Sequence, residues 1–215
     1  MSLILHFHPL SSFCQKALIA LYEKDVAFDT QLIDLMDPVK RAAYQKLWPI
    51  AKMPVLEDTV RGRTVAEATI VIEYLELHYP GRVALVPKDP EQALEVRFLD
   101  RLFDLYVNEP VGKIVTDRLR PAGQNDALGV EQARERLAAA YGIIEEKLGS
   151  RTWAAGDAFS LADCAAAPAL FYAEKVQPFG AQRPNLAGYL KRLMGRPSYA
   201  RALAEAEPFF KLFPG

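Results

Sequence analysis

The sequence predicts an α/β domain of order β-α-β-α-β-β-α over residues 1–80, then an all-α domain over residues 91–215, joined by residues 81–90. Two observations carry this. Strand and helix signals alternate in the first part, whereas only helical periodicity appears beyond residue 90. Between them, Arg82 to Pro90 has no periodicity and holds Pro87 and Pro90, as a linker does. A chain of 215 residues suffices for one large core or two small ones.

Leu3, Ile4, Leu5 and Phe7 form a short apolar run stopped by Pro9, the pattern of a buried strand. Phe13 to Lys24 reads as a helix, with Ala17, Leu18, Leu21 and Tyr22 on adjoining positions. Val26 to Ile33 alternates loosely as a second strand. A helix separates these two strands, so they are expected to be parallel. Pro38 to Leu47 is a short helix opened by proline. Pro54, Val55 and Leu56 begin a third strand and Arg63 to Ala66 a fourth, with Gly62 in a hairpin between them. Glu67 to His78 is a helix ended by Pro80 and Gly81. The second domain shows helical runs near 91–120, 126–148, 160–173, 185–195 and 198–207.

The first of these long helices has two apolar faces at about 100° per residue. Leu94, Phe98, Leu102 and Leu105 share one stripe; Val96, Leu99, Phe103 and Tyr106 lie roughly opposite. One stripe faces the domain core. The other is either buried in a larger bundle or covers the first domain, a ligand cleft or a second subunit.

Composition narrows the function. The chain is 51% hydrophobic and 25% charged, ordinary for a globular protein. A net charge of −1 gives no electrostatic basis for binding nucleic acid or an anionic membrane. The two cysteines, Cys14 and Cys164, match no zinc spacing or disulfide framework, which points to no metal and to a reducing compartment, the cytoplasm. His6, His8 and His78 form no ligand cluster. No signal peptide is visible, and the apolar run from Cys164 to Ala173 is too short to cross a bilayer and contains Pro168.

Ser11-Ser12-Phe13-Cys14 lies between the first strand and the first helix. Ser12 with Gln15 three residues on makes a capping box, which alone explains the segment as a helix start and leaves the Ser11 hydroxyl without a role. Ser11 stands just ahead of a helix N-terminus, where free N–H groups and the dipole favour an anion such as a bound thiolate. Lowering a thiol pKa of about 8.5 by two units needs roughly 2.7 kcal/mol. One charge-assisted hydrogen bond of ~1.5–3 kcal/mol, aided by the helix terminus, has that size. Cys14, in the first helical turn, is either a second reactive thiol or a small buried apolar residue. Met53-Pro54 sits where a strand-opening proline or a cis peptide bond would. Glu67-Ala68-Thr69 opens the helix after the fourth strand, where Glu67 complements the dipole and backbone N–H groups are placed to hold a carboxylate. Ser160 to Asp163 is a structural capping box flanked by Phe159 and Cys164 as a staple. Phe209, Phe210 and Phe213 are packing residues or close over a cleft between the domains.

In this order and spacing the motifs resemble those of the cytosolic glutathione transferases over nearly the whole chain. Ser11-Ser12-Phe13-Cys14 is similar to the serine-type active-site turn of the theta and zeta classes. Trp48-Pro49-Ile50-Ala51-Lys52-Met53-Pro54 is similar to the family's N-P-x-G-x-V-P segment, and Glu67-Ala68 stands where Glu-Ser is usual. Trp48, Ala51 and Ala68 depart from the family's usual Asn, Gly and Ser. The resemblance implies a thioredoxin-like first domain that takes glutathione as co-substrate, a cytoplasmic detoxifying transferase, and a homodimer. It assigns thiol activation to Ser11, and glutathione contacts to Ser11, Lys52, Met53 (beside a cis Pro54), Glu67 and Ala68. A small electrophile would then lie against the helical domain, with Tyr106, Arg118 and Arg120 as its expected neighbours. Two alternatives stay open: thiol-disulfide or deglutathionylating chemistry through Cys14, and a non-catalytic, protein-binding member of the fold.

Overall fold

Alternating burial of Leu3, Leu5 and Phe7 sets the first strand, β1 (Leu3–Phe7), at the centre of a four-stranded sheet. The structure, a computed structural model, describes residues 2–214. The other strands are β2 (Asp29–Leu32), β3 (Val55–Asp58) and β4 (Arg63–Ala66), in the order β2-β1-β3-β4. β1 and β2 are parallel, with Ile4 opposite Asp29, because helix α1 (Ser12–Glu23) makes the crossover. β3 pairs antiparallel with both β1 and β4, and the β3–β4 turn uses Gly62 at φ +61°. Helices α1 and α3 (Ala68–His78) contribute to the main core with the inward side chains of β1. Helix α2 (Pro38–Leu47) forms a smaller cluster through Tyr44 with Ile33, Ala51 and Val55. β2 is shorter than the predicted 26–33; it is an exposed edge strand, while Val26 and Phe28 before it pack against the core.

The second domain comprises α4 (Pro90–Leu102), a wide π turn (Phe103–Asn108), α5 (Glu109–Arg118), α6 (Ala127–Leu148), α7 (Leu161–Val176), α8 (Pro184–Met194) and α9 (Pro197–Ala206), ending in a 3-10 segment (Glu207–Leu212). Helix α7 is central. Its run of alanines lets α1, α4 and the π turn pack against it, and the helix continues through Pro168. At its start Ser160 and Asp163 form the expected capping box. The buried Asp163 carboxylate also accepts from Ala154 N–H at 2.8 Å and Tyr189 O–H at 2.6 Å.

The predicted single helix over 91–120 is interrupted by the π turn, and the two apolar stripes exchange members. Leu102 is buried and Tyr106 is half exposed, whereas Leu94, Phe98 and Leu105 face outward as one stripe. The wider turn retards the rotation of the residues within it, which carries Tyr106 away from Val96, Leu99 and Phe103. The segment over 81–90 is pinned rather than loose. Leu85 is fully buried, its N–H donates to Glu76 and its carbonyl accepts from Leu161. Gly81 passes so close to Lys24 that a Cβ would lie 2.2 Å from its carbonyl oxygen. Among the described residues no helix is long and apolar enough to cross a membrane, and no cluster of three potential metal ligands occurs.

Candidate functional site

The turn from β1 into α1 places Ser11, rather than Ser12, as the N-cap. Its Oγ accepts from the Cys14 N–H at 3.4 Å, and its own N–H donates to the His8 carbonyl at 3.0 Å. The Ser12–Gln15 box does not form. Gln15 is buried against α7, where its amide donates to the Pro9 carbonyl at 2.8 Å and the Tyr172 hydroxyl at 3.1 Å. Ser11 Oγ accepts from the Cys14 N–H, and the same hydroxyl also acts on the Cys14 sulfur. Cys14 is fully buried, and burial pushes its thiol up to about 12 against the lowering contact from Ser11. Full burial and a raised thiol pKa favour the packing reading of Cys14 over the reactive one.

Two cavities flank this turn. The first, of about 180 Å³, is lined by Phe13, Trp48, Lys52, Met53, Pro54, Glu67 and Ala68, and on the helical side by Arg101, Asp104, Leu105 and Glu109. The second, of about 250 Å³, is lined by Leu10, Ser11, Ser12, Asn108, Val111, Val115, Tyr172 and Phe213 among others. Asn108 and its neighbour Glu109 line one cavity each, as do Ser12 and Phe13. Lys52, Met53, Pro54, Glu67 and Ala68 thus come together in the first cavity, while Ser11 opens onto the second.

Local geometry explains the first cavity. The Met53–Pro54 bond is cis, and the Lys52 carbonyl is held by the Tyr44 hydroxyl at 2.9 Å. Glu67 is the N-cap of α3, one position earlier than a first-turn residue, with φ +69° and ψ 120° and no side-chain capping bond. That conformation is costly for a residue with a Cβ, and such strain collects at functional sites. It leaves the first N–H groups of α3 without a side-chain cap.

Behind the cavity lies a buried charge cluster that the sequence reading missed. Lys16 Nζ contacts Asp100 Oδ1 at 2.5 Å, Asp104 Oδ2 at 2.7 Å and Thr69 Oγ1 at 2.9 Å, with Lys16 and Asp100 each only 1% exposed. Arg101 adds Nε and Nη2 contacts to Asp100 at 3.1 and 2.9 Å, and its Nη2 also meets Thr69 and Asp104. Burial raises the Asp104 carboxyl, opposed by the Lys16 charge. The signal was present: a lone lysine inside an apolar helix, and two aspartates four residues apart. Tyr106, Arg118 and Arg120 line neither cavity. Arg120 pairs with Asp117 at 3.4 Å, and Arg118 donates to the Pro214 carbonyl at 3.0 Å. That bond ties down the terminal segment, where Phe213 stacks on Tyr172 at 5.3 Å and Phe209 meets the edge of His8.

A cis-proline cavity on a thioredoxin-like domain, set against an all-helical domain, defines the glutathione-transferase type of fold. The chain belongs to the glutathione S-transferase family: residues 5–83 match its N-terminal domain and residues 98–197 its C-terminal domain. It is 30% identical to glutathione S-transferase U25 of Arabidopsis thaliana, over 99% of this chain and 93% of that protein. FtsZ-localized protein A of Caulobacter vibrioides is 31% identical over 76% of this chain and 73% of its own length. Among solved structures, a glutathione S-transferase of Methylobacillus flagellatus with GSH bound superposes with a TM-score of 0.84 at 27% identity, covering 94% of this chain and 98% of that one.

Proposed function

We propose that the protein is a glutathione transferase in which Ser11 holds the glutathione sulfur as a thiolate. The observation that carries this is the Ser11 hydroxyl itself. It caps α1 and lines the second cavity, while Phe13 of the same turn lines the cis-proline cavity. Glutathione lies in the first cavity, with its cysteinyl backbone beside Met53, its glycine carboxylate toward Lys52 and its γ-glutamyl end at Glu67 and Ala68. The sulfur reaches Ser11, whose O–H and the α1 terminus favour the anion over the thiol. The electrophile occupies the second cavity, against Asn108, Val111 and Tyr172 in place of the residues first expected. The thiolate lone pair forms the new S–C bond. The electron pair displaced from carbon leaves with the departing group, or collects a proton after an addition.

Titration calorimetry with glutathione, together with turnover of an aromatic halide by the native protein and Ser11→Ala, tests this reading. The variant is expected to lose turnover at neutral pH far more than affinity, and thiolate absorbance of the bound ligand should move to higher pH. Equal turnover by both proteins would overturn it. The exposed stripe of Leu94, Phe98 and Leu105 supports a homodimer, and two free, buried cysteines support a reducing, cytoplasmic setting. A second reading, a protein-binding member of the fold, draws on the name of the Caulobacter relative; it predicts no glutathione binding in the same titration.

A further inference from the structure

Resting on the glutathione reading above, we infer that Arg101, from the helical domain, is the specificity residue for the ligand's γ-glutamyl α-carboxylate. Its position is the first reason. Arg101 lines the first cavity and also a neighbouring cavity of about 570 Å³, and Glu67 and Ala68 line both. Lys52 lines only the first. The guanidinium therefore stands at the α3 end and Lys52 at the cis-proline end. The two cations at opposite ends match the two carboxylates of glutathione; of the three acidic residues lining the first cavity, Asp104 is paired with Lys16 and Arg101, which leaves Glu67 and Glu109 for its one ammonium.

The orientation of the guanidinium is the second reason. Nε and Nη2 are occupied by Asp100, Thr69 and Asp104, and those aspartates are themselves fixed by buried Lys16. Among the described residues Nη1 makes no hydrogen bond, and the side chain is 46% exposed. A guanidinium held on two of its edges presents its third without further loss of rotamer freedom. Lys16 and Arg101 balance Asp100 and Asp104, so the cluster is neutral overall and an arriving carboxylate meets no net repulsion from it. The third reason is what Ala68 lacks. It offers an N–H at the start of α3 but no side-chain donor, and a helix N-terminus with a single guanidinium N–H is a sufficient carboxylate clamp.

The probes are glutathione and its analogue amidated at the γ-glutamyl α-carboxylate, titrated against native protein, Arg101→Gln and Arg101→Lys. Native protein is expected to prefer glutathione. Arg101→Gln should bind glutathione about tenfold more weakly, the scale of one charge-assisted hydrogen bond, and bind the analogue as the native protein does. Arg101→Lys keeps a charge for Asp100 and Asp104 but has no second edge, so it should show the same lost preference with a near-native unfolding midpoint. Adding Ala68→Ser to Arg101→Gln should recover part of the lost affinity. Equal weakening toward both ligands, or no weakening at all, would overturn the role of Arg101 while leaving the glutathione reading intact. Failure of the native protein to bind glutathione would overturn both.

Discussion

Ser11 and Cys14 are one helical turn apart but sit in opposite surroundings, one lining a cavity and the other in the core. The Ser11 contact pulls the Cys14 thiol pKa down, yet loss of water outweighs it. A pH dependence follows. The folded thiol sits at about 12 against 9.0 for an ordinary one, so the folded state binds this proton more tightly than the unfolded chain. Its contribution to stability is complete below pH 9 and is lost as pH rises toward 12. Urea midpoints measured from pH 8 to 11 should fall, and fall less steeply in Cys14→Ala; parallel curves would mean that Cys14 is not buried as described. Turnover by Cys14→Ala at neutral pH is expected to stay within about twofold of native, since a neutral buried thiol is no nucleophile. That a helix starts at this serine pair was legible in the sequence because a capping pattern follows a strand. Which serine caps was not legible: it depends on Gln15 meeting Tyr172, a residue 157 positions away.

At the scale of elements, the boundaries that local chemistry determines were readable, and those that packing determines were not. Pro38 and Asp37 start α2, and Asp163 closes a box at the start of α7, all within four residues of chain. The π turn after α4 has no such local mark; it appears where Phe103 and Val107 turn into the core against α7. The Asp163 box is also more than a cap, because the same carboxylate satisfies Ala154, Ser160 and Tyr189 in a dry interior. Asp163→Ala would leave several buried donors without partners, each costing ~1–3 kcal/mol. The expected loss of stability is therefore above the roughly 0.5–2 kcal/mol of an exposed cap. Chemical denaturation of the two proteins checks this, and a loss within the exposed-cap range would show that water replaces the carboxylate.

Over the whole molecule, one hydrophobic core runs through both domains, so the division at residues 81–90 that composition marks is a change of architecture within a shared interior. The outward stripe of Leu94, Phe98 and Leu105 is uncovered, and a second copy of the chain is the occupant proposed for it. Phe98→Glu should then shift the light-scattering mass from dimer to monomer at micromolar concentration, while the circular dichroism of the helices stays unchanged. A native protein already monomeric under these conditions would remove the dimer from the account. The two domains are also joined by ion pairs of two kinds. Arg97 and Glu73 meet at 2.6 Å on the surface, with Arg97 47% exposed, whereas Lys16, Asp100 and Asp104 meet away from water. Dissolved ions weaken the first kind and scarcely reach the second. Ionic strength is thus a lever on the rim of the seam and not on its centre, and the molecule should keep its two halves docked in brine that would loosen an assembly fastened only by surface charge.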